Sequence, residues 1–150
     1  MALVDRWQRA TLLALALWKG SDMSNERKIP SPVPHPETQA YWDAAQQGKL
    51  LVRHCRACDE AHHYPREICP FCWSNETEWI EAKGEAEIYS FSTMRVGPAP
   101  YTLAYVTLAE GPSMMTNIVD CDPSQLTIGQ KVKVVFRPCD DGKLAPMFTP

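Results

Sequence analysis

From residue 77 onward, apolar and polar positions alternate in short runs. TEWIEA, EAEIYSFSTMRV, TLAYVTLA, SMMTNIV, KVKVVF and LAPMF are separated by glycine or proline signals. A period of two is the mark of strands that bury one face. In KVKVVF the pattern turns Val132, Val134 and Phe136 inward and Lys131 and Lys133 outward, as a half-buried strand requires. In EAEIYSFSTMRV the apolar set passes from Ala86 and Ile88 to Tyr89 and Phe91, a change of phase that calls for a β-bulge. About five strands between 84 and 149, the first of them bent, predict a small OB-type barrel.

Upstream the period is helical. HPETQAYWDAAQQGKL places Pro36 in a first turn, Glu37 where the helix dipole favours an anion, and Gly48 where a left-handed residue can end the helix. Tyr41, Trp42 and Ala45 form its apolar patch, and Leu50 to Val52 read as a short strand. In the first 22 residues Leu3, Val4, Trp7, Ala10, Ala14, Leu17 and Trp18 follow helical spacing. The apolar run from Leu12 to Trp18 is too short to span a bilayer and no small-residue cleavage pattern follows it. It reads as an extension upstream of Met23. The expected organisation is an extension over 1–29, helical or disordered, a linker and helix over 30–49, a metal-stapled module over 50–82 and the barrel over 83–150. The fold class is mainly β.

Composition narrows the partners. The chain has 150 residues, 45% hydrophobic and 22% charged, with a net charge of −3. One modest core and a stapled satellite fit that length. The absence of a broad basic field counts against phosphate-rich partners. A single-stranded nucleic-acid module is the alternative from another class, because such barrels bind strands with a basic groove and exposed aromatics. Here Tyr89, Phe91, Tyr101 and Tyr105 are interleaved with few cations, chiefly Lys83, Arg95, Lys131, Lys133 and Arg137.

The strongest chemical signal is HCRACDEAHHYPREICPFCWS, residues 54–74, with Cys55 and Cys58 in one C-x-x-C step and Cys69 and Cys72 in a second. Two facing steps make a tetrahedral thiolate cage, which suits Zn²⁺ at about 2.3 Å per bond. Iron fits the same four sulfurs, as in rubredoxin. A cage filled by sulfur leaves no position for an activated water, so it serves the fold. Disulfides would need an oxidising compartment, and a redox C-x-x-C would need to open a helix in a βαβ setting, whereas prolines crowd both steps. Catalytic equipment is sparse. His54, His62 and His63 lie around the cage, where local hydrogen bonding or packing explains them, and His35 sits among prolines. The acidic residues at 76–87 read as a solvated strand edge, and Cys121 and Cys139 as small buried residues. No nucleophile elbow, Walker loop, dinucleotide fingerprint or zincin motif is present.

In order, the proline-rich lead, the helix ending in GKL, C-x-x-C, Tyr64-Pro65-Arg66, Cys69-Pro70-Phe71-Cys72, Ala109-Glu110-Gly111-Pro112 and LTIGQKVKV (126–134) resemble one accessory family. It is the zinc-ribbon plus OB-fold group called domain of unknown function thirty-five, matched from about Pro30 to Phe148. The resemblance implies a rubredoxin-like zinc ribbon followed by a five-stranded OB barrel. It further implies a cytoplasmic, non-catalytic subunit that assembles with a thiolase-fold enzyme and helps hold acyl-CoA. Hot-dog-fold enoyl-CoA hydratases and hydroxymethylglutaryl-CoA synthases are the alternative partners, and no membrane is involved. Such knuckles usually carry glycine after the second cysteine, and here Asp59 and Trp73 stand in those places. Since tryptophan tolerates a left-handed backbone poorly, a distorted second knuckle is expected. Tyr41, Trp42, Phe71 and Trp73 supply more aromatic surface than so small a ribbon can bury, and some of it is expected to meet a partner.

Overall fold

The computed structural model describes residues 28–95 and 99–150; the helix expected within the first 22 residues lies outside them. Polypeptide order begins with a 3-10 turn, Pro36–Thr38, that runs into α1, Gln39–Gln46. Pro36 occupies a position where its missing N–H would have had no partner. At the far end Gly48 takes φ 74, and the Gly48 and Lys49 amides donate to Ala45 and Ala44, closing the helix as a left-handed residue allows. Glu37 also pairs with Arg66 at 3.3 Å. Tyr41, Ala44 and Ala45 are buried, and Trp42 is half-buried.

Three short strands follow: β1 (Leu51–Cys55), β2 (Glu60–His62) and β3 (Thr77–Glu81). They form an antiparallel sheet in the order β2-β1-β3, with Arg53 opposite both His62 and Trp79. The Arg53 guanidinium lies 4.2 Å above the Trp79 ring, so a cation covers apolar surface that the small sheet cannot bury. The acidic stretch is solvated as expected, with Glu78, Glu81, Glu85 and Glu87 exposed.

The alternating runs become β4 (Glu85–Met94), β5 (Tyr101–Leu108), β6 (Ser113–Ile118), β7 (Lys131–Pro138) and β8 (Leu144–Thr149). They close into a barrel in the order β4-β5-β6-β8-β7. All neighbours are antiparallel except β6 and β8, which meet in parallel at Ile118 and Phe148. The Val119 amide, donating to the Phe148 carbonyl at 2.8 Å, reinforces that closure. The bulge falls where the phase change placed it, between Ile88 and Ser90. Its side-chain assignment needs one correction: Tyr89 is the extra residue and is 70% exposed, so Phe91 alone carries the new inward phase. A bulge leaves its added residue outside the ladder.

One core runs through both modules. Tyr41 of α1 and Leu50 and Val52 of the ribbon pack in the same cluster as Ile88, Val106, Val132 and Phe148 of the barrel. The strands are joined at Gly84, whose φ of 75 and carbonyl bond to the Val134 amide set the turn from β3 into β4. Gln46 ties the helix to the last strand, its side chain donating to the Leu144 carbonyl at 3.1 Å and accepting from the Leu144 amide at 2.8 Å. Among the described residues, no helix is long and apolar enough to cross a membrane.

Candidate metal centre

The first cysteine step begins where β1 ends, and the second lies on the connection to β3. In each knuckle the residue after the second cysteine turns back, the Asp59 amide donating to Cys55 carbonyl at 2.9 Å and the Trp73 amide to Cys69 carbonyl at 3.1 Å. Both turning residues are left-handed, with φ 60 and φ 63. The second knuckle is therefore not distorted, contrary to expectation: Trp73 accepts a backbone region that disfavours a large side chain by about 1–2 kcal/mol. Its ring is 80% exposed and so meets no crowding inside the protein. Asp59 gains a local partner, its Oδ1 lying 3.0 Å from His54 Nε2.

The four sulfurs converge to within 4.8 Å of one another, with Cys55 to Cys72 at 3.6 Å and Cys58 to Cys69 at 3.7 Å. A regular tetrahedron with metal–sulfur bonds of about 2.3 Å has edges near ~3.8 Å, so the donor set and the spacing fit one soft metal ion. Cys55 and Cys69 are fully buried and Cys72 is exposed. Backbone dipoles are aimed at the cage as well, the Phe71 amide donating to Cys69 Sγ at 3.4 Å. As free thiols, Cys58 and Cys69 are set apart. Burial, with thiol hydrogen bonds adding to it, pushes Cys58 up to about 12. Burial also raises Cys69, but amide bonds from Cys72 and Phe71, with the neighbouring thiols, outweigh it and hold it at about 7.

The nearby histidines are engaged elsewhere. His54 lies between Asp59 and Glu78, and His62 donates to the Arg66 carbonyl at 3.3 Å. His63 packs against Tyr41 and Tyr64, with ring centres 5.7 and 5.5 Å away. Cys139 is buried and Cys121 half-buried, as expected of small packing residues. Burial raises both thiols, and the aspartates beside each add to it, so neither is poised as a nucleophile.

The aromatic surface divides in two. Tyr41 is 2% exposed and Trp42 half-buried, so of the four aromatics the helix pair packs within the fold. Phe71, 60% exposed, and Trp73 stand clear of the chain, joined by Ile68. A groove of about 420 Å³ runs along the seam between α1, the loop after β2 and the barrel. Tyr41, Trp42, His63 and Tyr64 line one side of it, and Tyr105 and Met115 the other. Reasoning along the chain missed this groove, because its walls come from positions as far apart as 41 and 146. The one hint was His63-Tyr64, two large rings in a module with little room to bury them.

Residues 42–78 match the family model described as the ChsH2 rubredoxin-like zinc ribbon domain, and residues 79–137 that of the ChsH2 C-terminal OB-fold domain. The chain belongs to the ChsH2/DUF35 zinc-ribbon and OB-fold family. A DUF35 domain-containing scaffold protein of Methanocaldococcus jannaschii is 38% identical over 95 residues, 59% of this chain and 67% of its own. A probable enoyl-CoA hydratase alpha subunit of Thermomonospora curvata is 31% identical across 97% of this chain, which spans only 50% of that relative's length. The benzoylsuccinyl-CoA thiolase subunit BbsA of Geobacter metallireducens is 33% identical over 86 residues, 50% of this chain and 58% of its own. Among solved structures, a chain of an Ltp2-ChsH2(DUF35) aldolase matches with a TM-score of 0.71 and 30% identity over 80% of this chain and 98% of that one.

Proposed function

We propose that this DUF35 chain is a non-catalytic, zinc-binding subunit that assembles with a thiolase-fold acyl-CoA enzyme and helps hold its acyl-CoA substrate. The observation that carries this reading is the exposed apolar surface of the second knuckle, Ile68, Phe71 and Trp73, mounted beside a cage that can be closed by one ion. Cys55, Cys58, Cys69 and Cys72 would hold Zn²⁺, which supplies rigidity and, with every position taken by sulfur, no activated water. Large rings on a rigid support suit a protein interface, where central aromatics typically lose about 2 kcal/mol or more on truncation. The names of relatives, scaffold proteins and a thiolase subunit among them, support the same reading. The name of the Thermomonospora relative favours a hydratase as the alternative partner. Nucleic acid is the weaker reading, since Lys131 is paired with Glu87 and Arg137 with Asp120, and the barrel has few other cations.

Copurification from the native source, with the partner identified by mass spectrometry and zinc measured by elemental analysis, tests the proposal. One equivalent of zinc and an acyl-CoA enzyme are expected, and Phe71→Ala should lose the partner while keeping zinc and thermal midpoint. Acyl-CoA turnover by the isolated chain, or a folded protein without metal, would overturn it.

A further inference from the structure

The seam groove is built from rings. The Tyr41 centre lies 5.0 Å from Trp42, 5.7 Å from His63 and 6.0 Å from Tyr64. The Trp42 indole donates to the Tyr64 hydroxyl at 3.2 Å, fixing two of those rings against each other. Across the seam, Tyr105 and Met115 are direct cross-strand partners on the outer face of β5 and β6, and Met115 is 56% exposed. Aromatic faces and a thioether are surfaces on which a flat or alicyclic ring packs well. At about 420 Å³ the space lies within the range of small-molecule sites.

Two features narrow the occupant. Among the described residues no lysine or arginine lines the groove, so these supply nothing that a nucleotide's phosphates require. And His63, which lines it, has a buried Nε2 with no hydrogen-bond partner among the described residues. A buried unpaired polar atom is disfavoured, a deficit that one polar atom of a ligand removes.

We infer that this groove binds the acyl end of a ring-bearing thioester, the ring lying between Tyr64 and Tyr105 and a single polar substituent meeting His63. The inference rests on the acyl-CoA reading above and adds which end of the molecule this subunit takes.

Titration calorimetry tests it, with benzoyl-CoA, acetyl-CoA and free CoA as probes, on the full chain and on its copurified complex. Benzoyl-CoA is expected to bind at least tenfold more tightly than acetyl-CoA. Met115→Trp, which fills the groove from an exposed position, should abolish that preference with thermal midpoint and partner unchanged. Equal binding of the two thioesters, no binding to chain or complex, or an intact preference in Met115→Trp overturns the inference. So does a folded Met115→Trp that loses the partner, since the groove is then a protein contact. If the ring preference is present but no acyl-CoA enzyme copurifies, the inference stands and the subunit reading falls.

Discussion

Burial holds the His63 imidazole neutral and brings its pKa down to about 4, with His62 adding an electrostatic push in the same direction. An unfolded histidine titrates near ~6.5. Between those values the unfolded chain binds the extra proton, so stability falls as pH drops from about 6.5 to about 4 and is flat on either side. The loss is at most about 3 kcal/mol, at 1.36 kcal/mol per unit. Urea unfolding at pH 7 and at pH 4.5 should show that loss in the wild type, and a smaller one in His63→Phe; equal losses would show that other groups set the slope. Residues differ in how much of this could be read along the chain. Cys55, Cys58, Cys69 and Cys72 were legible because each C-x-x-C step is local and two steps suffice to specify a cage. Trp73 misled, since sequence gives its backbone preference but not the open space around its ring. His63 gave no sign of its orphaned nitrogen, which depends on neighbours brought from α1.

Among the elements, the join between ribbon and barrel is tightly constrained. A Cβ placed on Gly84 would stand 2.4 Å from Val134 Cγ1, at a φ of 75. Gly142 shares the left-handed conformation, with φ 81, but has open space around it. Gly84→Ala should therefore lose about 2–4 kcal/mol, backbone strain and overpacking together. Gly142→Ala should lose only the backbone part, about 1–2 kcal/mol. Chemical denaturation of both variants checks the difference; equal losses would mean that Val134 moves aside freely. Strand existence and the bulge were legible because alternation and its interruption are properties of the chain itself. The parallel closure of β6 on β8 was not, since nothing local marks which strand fills the last gap. Nor was the grip of Gln46 on Leu144, across 98 positions of sequence.

At the scale of the molecule, ribbon, helix and barrel share one core, with Tyr41 and Val52 in the same cluster as Phe148. Structural zinc adds its binding free energy to folding, so with zinc in the cage, a chelator should lower the thermal midpoint of the whole chain. Far-UV circular dichroism and tryptophan fluorescence are expected to move together, as they do when unfolding is all-or-none. Two separated transitions would show that the modules are stabilised independently. The position of β8 has a further consequence, for the newborn protein. Chains fold from the N-terminus as they are made, at about 5–20 residues per second. The ribbon can gather its sulfurs as soon as residue 81 has emerged from the ribosome, yet the barrel lacks its middle wall until Leu144–Thr149 follow. For that interval the inner faces of β4 to β7, with Ile88 and Val106, have no Phe148 to cover them. Until β8 arrives the nascent chain carries an open sheet, and this interval exposes it to wrong pairing and to chaperones.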